Sequence, residues 1–383
     1  MNKKRYQIYI VGCKGIPAKY GGFETFVENL VSNKKDKNIE YHVSCMANNF
    51  KEFEYKEAKC FNIKLPFDNA FGRLLYVSRA LNYIEKLNNF DKKIVYILGC
   101  RIGPLLLIHK RRLTKRNVTI FCNPDGLEWK RDKWNGIEKL IIKLCERCLV
   151  QNSDLIVSDS KAIEKYINDK YPKAKTTYIA YGAKSELSKT KNSEYNDWCN
   201  KNGISKNNYY LVIGRFVPEN NYEIIIKEFI KTNTNKKLVF VTNYENNNYY
   251  KYLLKQTDFD KDKRVLFAGT IYNEDLLFKI RENAFAYIHG HEVGGTNPSL
   301  LEALAHTKLN LLLNIDFNKE VGEDCALYWS KEKDSLKELI EKAESLNSKD
   351  IEKLSTKAKQ RIINKYNWDK ICTSYEKLFK EHL

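Results

Sequence analysis

Two short stretches hold most of the residues whose types and spacing could do chemistry: "HGHEVGGTNPSLLEAL" (289–304) and "GRFVPENN" (214–221). In the first, Asn297 is a good helix N-cap, Pro298 suits the first helical position, and Leu300, Leu301 and Leu304 form an apolar stripe. Such a helix start presents unpaired backbone N–H groups and partial positive charge, which favour a phosphate. Gly294 and Gly295 would let the main chain approach it closely. Glu302 falls on the face away from the leucines, too far along to cap, where it could accept hydrogen bonds from a sugar diol. An ordinary capped helix with a solvent-facing glutamate is the other reading, and these residues alone leave both open.

A third glycine-rich stretch is "GCKGIPAKYGGFET" (12–25). It is not a dinucleotide fingerprint, because Gly12 and Gly15 lack the following glycine, and it has no Gly-Lys-Ser/Thr of a phosphate loop. Gly21 and Gly22 instead open a helix near Phe23 and make a second candidate anion site. Glu24, in that first turn, is more often a helix-start carboxylate than a ligand.

These loops need elements to hold them. "YQIYIV" (6–11), "YHVSCM" (41–46), "KIVYIL" (93–98), "VTIFC" (118–122) and "LIVSD" (155–159) read as strands separated by helical patterns such as "FETFVENLVS". A second series begins after "TTYIAYGA" (176–183): "YYLVIG" (209–214), "KLVFVT" (237–242), "RVLFAG" (264–269), "AFAYIH" (284–289) and "NLLLNI" (310–315). The alternation predicts an α/β chain with two doubly wound, Rossmann-like domains facing a central cleft. The polar stretch 184–208 reads as the boundary, so the domains are expected at 1–182 and 183–366. The two glycine-rich loops and "GRFVPENN" all follow strands, where ligands of open parallel sheets collect.

Bulk properties narrow the classes. Hydrophobic residues make up 43% of the 383 and aromatics 13%, which excludes a disordered chain. No apolar run approaches the ~18–20 residues of a membrane span. The opening "MNKKRYQIYIVG" enters a strand-like run without a signal-peptide pattern, so a cytoplasmic protein is expected. The ten cysteines are scattered, only Cys145 and Cys148 stand close, and nothing supplies four zinc ligands. Buried free thiols are expected, and no metal. The net charge of +18 is concentrated: residues 1–182 hold 34 Lys and Arg against 19 Asp and Glu, and residues 183–383 hold 32 against 29. Nucleic acid or an anionic membrane surface would each suit the basic half.

The motifs named above, with "NPDGLEWKRDKW" (123–134) and the closing "YNWDKICTSYEKLF", resemble the GT-B glycosyltransferases of family 4, and within them bacterial rhamnosyltransferases of capsule and cell-wall polysaccharide synthesis. The resemblance covers nearly the whole chain. It implies that the second domain binds a nucleotide sugar, that the first binds the acceptor, and that the C-terminal helix (367–383) packs back on the first. Carried over, Glu302 binds the nucleotide ribose, the segment of Thr296, Asn297 and Ser299 that follows Gly295 meets the diphosphate with its amides, and Arg215 pairs with the departing diphosphate. A surface ion pair is the alternative role for Arg215. His291 would hydrogen-bond the donor or serve structure only. Asp125 would orient the acceptor hydroxyl or donor sugar, or mark a plain Asp-Gly turn.

Two positions depart from the family pattern. Its first glutamate would stand eight residues before Glu302, where this chain has Gly294, with Glu292 the nearest carboxylate; its companion lysine after the arginine is replaced by Asn220. Phosphate neutralisation would then rest on Arg215, the helix amides and Gly22. The resemblance implies retention, no required cofactor or metal, dTDP-L-rhamnose as donor, and a lipid-linked (polyprenyl diphosphate) saccharide as acceptor. "RIGPLLLIHKRRLTKR" (101–116), with six positive residues, would make peripheral contact with the inner membrane face. A different donor on the same fold is one rival. A nucleic-acid-binding protein is another, disfavoured because no helix-turn-helix, zinc-finger or aromatic RNA-binding signature accompanies the charge.

Overall fold

The computed structural model describes residues 5–19, 21–65, 67, 69–87, 91–131, 134–244 and 248–383. The chain forms two compact units, one of residues 1–182 with 368–383 and the other of residues 183–367.

The first unit is built on an eight-stranded sheet. Its strands are β1 (Tyr6–Val11), β2 (Ile39–Ala47), β3 (Glu52–Tyr55), β4 (Ala58–Lys64), β5 (Lys93–Leu98), β6 (Val118–Asn123), β7 (Leu155–Ser158) and β8 (Thr176–Tyr178), in the order β3-β4-β2-β1-β5-β6-β7-β8. All pairs are parallel except β3 with β4. Every residue of β5 is buried, the pattern of a parallel strand covered on both faces. The chain turns back across the sheet between β1 and β5, so the loop after β1 lies at a topological switch point. The C-terminal helix Trp368–Glu381 belongs to this unit: Phe379 packs on Tyr41, Tyr96 and Phe121, and Glu376 accepts the Lys35 and Asp36 amides at 2.7 and 3.1 Å.

The second unit carries six parallel strands, β9 (Tyr209–Ile213), β10 (Lys237–Val241), β11 (Val265–Phe267), β12 (Ala286–His289), β13 (Asn310–Leu313) and β14 (Leu327–Trp329), ordered β11-β10-β9-β12-β13-β14. Here the switch point falls between β9 and β12. The loops that leave those two strands are "GRFVPENN" and "HEVGGTN". The topology therefore brings together two segments some 75 residues apart in sequence, as the pairing of Tyr287 with Leu211 records.

Several elements lay outside the sequence expectation. The hairpin of β3 and β4 turns through Lys56 and Glu57, both with positive φ (46° and 63°), where no Asn-Gly or Asp-Gly marks the turn. The stretch 184–208, read as a polar boundary, contains the helix Asn192–Asn202, which buries Tyr195, Trp198 and Cys199 against Tyr209. Three residues at helical spacing outweigh a polar composition because they cover one side of the sheet. All ten cysteines are free thiols, and all but Cys148 are buried. Among the described residues no helix is long and apolar enough to cross a membrane.

Candidate functional site

The end of β12 and the helix Pro298–His306 frame the first half of the site. Asn297 caps this helix as its residue type suggests: its side-chain oxygen accepts the Ser299 amide at 2.9 Å and the Leu300 amide at 3.4 Å. Those two amides are therefore engaged within the cap, and the Ser299 hydroxyl is tied to the Ile213 carbonyl (3.2 Å) and the Tyr287 hydroxyl (3.0 Å). Ser299 thus joins the helix start to the end of β9. Thr296 is buried. Gly294 has φ of 148°, a backbone conformation that side-chain-bearing residues rarely adopt, and a Cβ there would lie 3.1 Å from the His291 ring.

The two switch-point loops are laced by neutral amides. Asn220 donates to the Arg215 carbonyl at 2.6 Å, and its oxygen stands 2.8 Å from His291 Nδ1. Asn221 donates to the Gly290 carbonyl (2.7 Å) and to Glu292 (2.8 Å). Glu292 is further paired with Lys331, and its amide donates to the Glu219 carbonyl at 3.1 Å. Asn318 holds the His291 carbonyl at 3.1 Å. The loops form one hydrogen-bonded body rather than two flexible tips, and Glu292 acts within it as a structural partner.

Arg215 is exposed at the carboxyl end of β9, and among the described residues no carboxylate pairs with its guanidinium. The surface ion pair considered for it is not made with any described residue. An exposed cation left without an acid partner at a strand's carboxyl end is available to an anionic ligand.

Glu302 has a partner that the sequence reading missed. Arg281, in the last turn of the helix Glu274–Glu282, places Nη2 at 2.6 Å from Glu302 Oε2; its side chain is 2% exposed and that of Glu302 is 25%. The same Nη2 lies 3.4 Å from the Ser299 hydroxyl. Arg281 Nε and Nη1 are buried and meet no acceptor among the described residues. The cation fixes the orientation of a carboxylate that stays accessible on its other side. No sequence signal marked Arg281, because an arginine near a helix C-terminus reads as a dipole partner.

Beneath the loop, His289 is fully buried, with Nδ1 3.3 Å from the Tyr287 hydroxyl. Burial pushes its imidazole down to about 3, so it is neutral at ordinary pH. Burial likewise pushes the Tyr287 phenol up to about 12, and it stays protonated, donating to the Ile213 carbonyl at 3.0 Å.

In the first unit, Gly21 (φ 131°) leads into the helix Gly22–Ser32. Glu24 is buried and accepts the Lys14 amide at 2.7 Å; a Cβ on Gly21 would collide with its carboxylate. A negative charge already lies beside this helix start, whereas Gly22 has open space around it. Asp125, after β6, has φ of 55° in its Asp-Gly turn and lies 3.5 Å from Arg131, which also binds buried Glu128 at 2.8 Å; Arg101 holds Glu128 from the other side at 3.1 Å. The structure brings Arg215, Asn220, His291, Gly295, Thr296, Asn297, Ser299 and Glu302 into one unit, with Gly21, Gly22 and Asp125 in the other.

Comparison with known proteins defines the class. Residues 195–361 match the family described as glycosyl transferases group 1, and residues 5–184 match a domain of unknown function, DUF1972. Among solved structures, the chain is similar to sucrose-phosphate synthase from Thermosynechococcus elongatus (TM-score 0.77, 14% identity, covering 98% of this chain and 99% of that one). It is also similar to HepE of Anabaena, solved with UDP and glucose (0.74, 13%, 98% and 99%), and to a glycosyltransferase from Rickettsia africae (0.74, 14%, 99% and 99%). None of the curated proteins matches the chain. The architecture is that of the GT-B glycosyltransferases. The match to glycosyl transferases group 1 falls within the second unit, and it supports glycosyltransferase as the class of enzyme.

Proposed function

We propose that the protein transfers L-rhamnose from dTDP-L-rhamnose, with retention, to a hydroxyl of a lipid-linked (polyprenyl diphosphate) saccharide, and that it works in peripheral contact with the inner membrane face without a required metal or other cofactor. The observation that carries the nucleotide-sugar reading is Arg215, an exposed guanidinium that meets no carboxylate among the described residues, at the switch point where a capped helix start also converges. In this reading Arg215 and the loop amides meet the charge that develops on the departing nucleoside diphosphate, the main resource of such catalysis. Glu302, held by Arg281, accepts the ribose hydroxyls, and His291, oriented by Asn220, addresses the donor. Asp125 orients the acceptor from the first unit. The rhamnose donor, retention and the lipid acceptor rest on the motif resemblance described above.

A UDP-hexose donor is the second reading. It is favoured by Gly294, which removes a glutamate from the family's sugar-facing position, and by the HepE structure, which holds UDP and glucose. Product analysis with several nucleotide sugars and a short lipid-diphosphate saccharide decides between them. Transfer from dTDP-L-rhamnose alone, with the anomeric configuration kept, supports the first reading. Transfer from UDP-glucose alone replaces it, and absence of transfer from every donor overturns both.

A further inference from the structure

The helix Gly136–Asn152 is apolar on both sides. Its inner side buries Ile142, Cys145, Leu149 and Val150. Its outer side presents Ile137, Leu140, Ile141 and Leu144, each between 54% and 73% exposed. These four sit at i, i+3, i+4 and i+7, the spacing of one helix face. Holding the helix to the unit requires only the inner set, so the outer stripe has no role in packing. The helix Gly103–Thr114 packs against it and exposes Leu107 and Ile108, each more than half. The two backbones cross closely at Gly103, where a Cβ would stand 1.9 Å from the Cys145 carbonyl oxygen. Leu107 lies one turn past Gly103 and Ile141 one turn before Cys145, so the exposed aliphatic residues cluster about one crossing.

The exposed charges of these two helices that meet no described carboxylate are basic. Arg111, Lys115 and Arg147 are exposed, and among the described residues none of the three meets a carboxylate. The two acids of these helices are engaged elsewhere: Glu138 closes a capping box with Asn135, and buried Glu146 accepts from Tyr166, Lys170 and Tyr171. An aliphatic stripe rimmed by free cations, with the local carboxylates turned away, matches the headgroup and acyl boundary of an anionic bilayer. The stripe also has no exposed aromatic residue of the kind that anchors protein interfaces.

We infer that the outer face of the helices Gly103–Thr114 and Gly136–Asn152 is a docking surface for an anionic lipid bilayer, entered by Ile137, Leu140, Ile141, Leu144, Leu107 and Ile108 and held by Arg111, Lys115 and Arg147. The inference rests on the proposed membrane-bound acceptor for its purpose, and it moves the contact from the basic 101–116 segment alone to a two-helix face whose apolar part is chiefly in the second helix.

The test is flotation of the full chain with vesicles of neutral lipid, with or without anionic phosphatidylglycerol. The expected result is salt-sensitive binding to the anionic vesicles and weak binding to the neutral ones. Each basic residue at such a surface contributes about fivefold to partition, so Arg111→Glu with Arg147→Glu lowers binding by well over about tenfold. Leu140→Ser with Leu144→Ser lowers it at both low and high salt, and its unchanged melting temperature shows that the fold is kept, since both side chains are exposed. Absence of wild-type binding, or a serine variant that floats as well as wild type, overturns the inference. So does light scattering that shows a dimer which the serine variant converts to monomer, because the face is then a self-association surface. The acceptor reading is tested separately by transfer to a water-soluble short-chain acceptor and to a polyprenyl acceptor in vesicles. Vesicle binding without transfer to either sinks that reading and leaves the docking surface standing; transfer without vesicle binding does the reverse.

Discussion

Replacement of Arg281 by methionine, and of Glu302 by glutamine, separates what the pair does for stability from what it does for the donor. The contact is short, 2.6 Å, and unevenly buried, with 2% of the arginine and 25% of the glutamate side chain exposed. Removing one partner of a fully buried pair costs about 3–5 kcal/mol because the other charge is stranded. The two single variants should therefore differ. Glu302→Gln strands a buried guanidinium that already has two donors without acceptors, and should cost about 3 kcal/mol or more. Arg281→Met strands a carboxylate that water can reach, and removes those orphan donors, so about 1–2 kcal/mol is expected. The double variant should be more stable than Glu302→Gln alone. Donor binding follows a different order. In the proposed reading, loss of the carboxylate removes a charge-assisted hydrogen bond to the ribose, about 1.5–3 kcal/mol or roughly 10- to 100-fold in nucleotide affinity. Loss of the arginine only frees the carboxylate's rotamers, about 0.5–1.5 kcal/mol or roughly 3- to 10-fold, and Arg281→Lys should restore part of it. Urea unfolding and titration calorimetry with dTDP measure both. If Glu302→Gln binds dTDP as tightly as wild type, or the double variant is as unstable as the two singles added, the assigned roles are wrong.

Arg215→Ala should leave stability within about 0.5 kcal/mol, since the side chain is exposed and unpaired with any described carboxylate, yet lower kcat/KM by about 10²–10³; steady-state release of nucleoside diphosphate measures it. His289 is held neutral by burial, so the unfolded chain binds its proton first as pH falls, and stability drops from near 6.5 downward toward the folded value of about 3. Between pH 7 and pH 5 this amounts to about 2 kcal/mol, read as the difference in unfolding free energy between wild type and His289→Leu. Gly294→Glu places a side chain on a backbone at φ 148° and should cost about 1–3 kcal/mol without tightening the donor, checked by melting and donor KM. Asn220→Lys deletes the bonds to the Arg215 carbonyl and to His291, and should lower stability by about 1–2 kcal/mol and lower rather than raise turnover.

The sequence reveals the sheets and the loops well, and the partners of the loops poorly. Alternation of apolar runs with helical spacing placed β1, β5, β9 and β13 to within a residue or two, because a strand buried on both faces must be apolar throughout. The cap at Asn297 was equally legible, since capping is local chemistry. β3 and its hairpin partner were not, because an edge hairpin with a charged turn carries neither a continuous apolar run nor a glycine signal. Arg281 was invisible for a different reason. Its partner stands 21 positions away and meets it only after two helices pack on one sheet, so no local window holds both. Glu292 shows the converse: it is the carboxylate nearest in sequence to the missing glutamate, and the fold engages it with Asn221 and Lys331.

The two departures from the glycosyltransferase pattern acquire a common explanation once these contacts are known. At 220 the chain lacks the pattern's cation, and at 294 it lacks the pattern's anion, so the pair of changes leaves the formal charge of the two loops unaltered. Either change alone would shift the potential at a diphosphate by a full unit charge at close range, where such a shift is only partly screened. What replaces the charged side chains is rigidity: Asn220 and Asn221 lace the loops through main-chain carbonyls, His291 and Glu292, and Gly294 takes a backbone angle that no glutamate would hold comfortably. Arg215 is then left as the cation of these loops, meeting no acid among the described residues, since Glu292 is already met by Lys331. Under the proposed function, a site arranged in this way keeps the charge balance for a nucleoside diphosphate while giving up a carboxylate that would face the sugar. The expected cost of the two departures in that reading therefore falls on recognition of the sugar, with grip on the phosphates preserved.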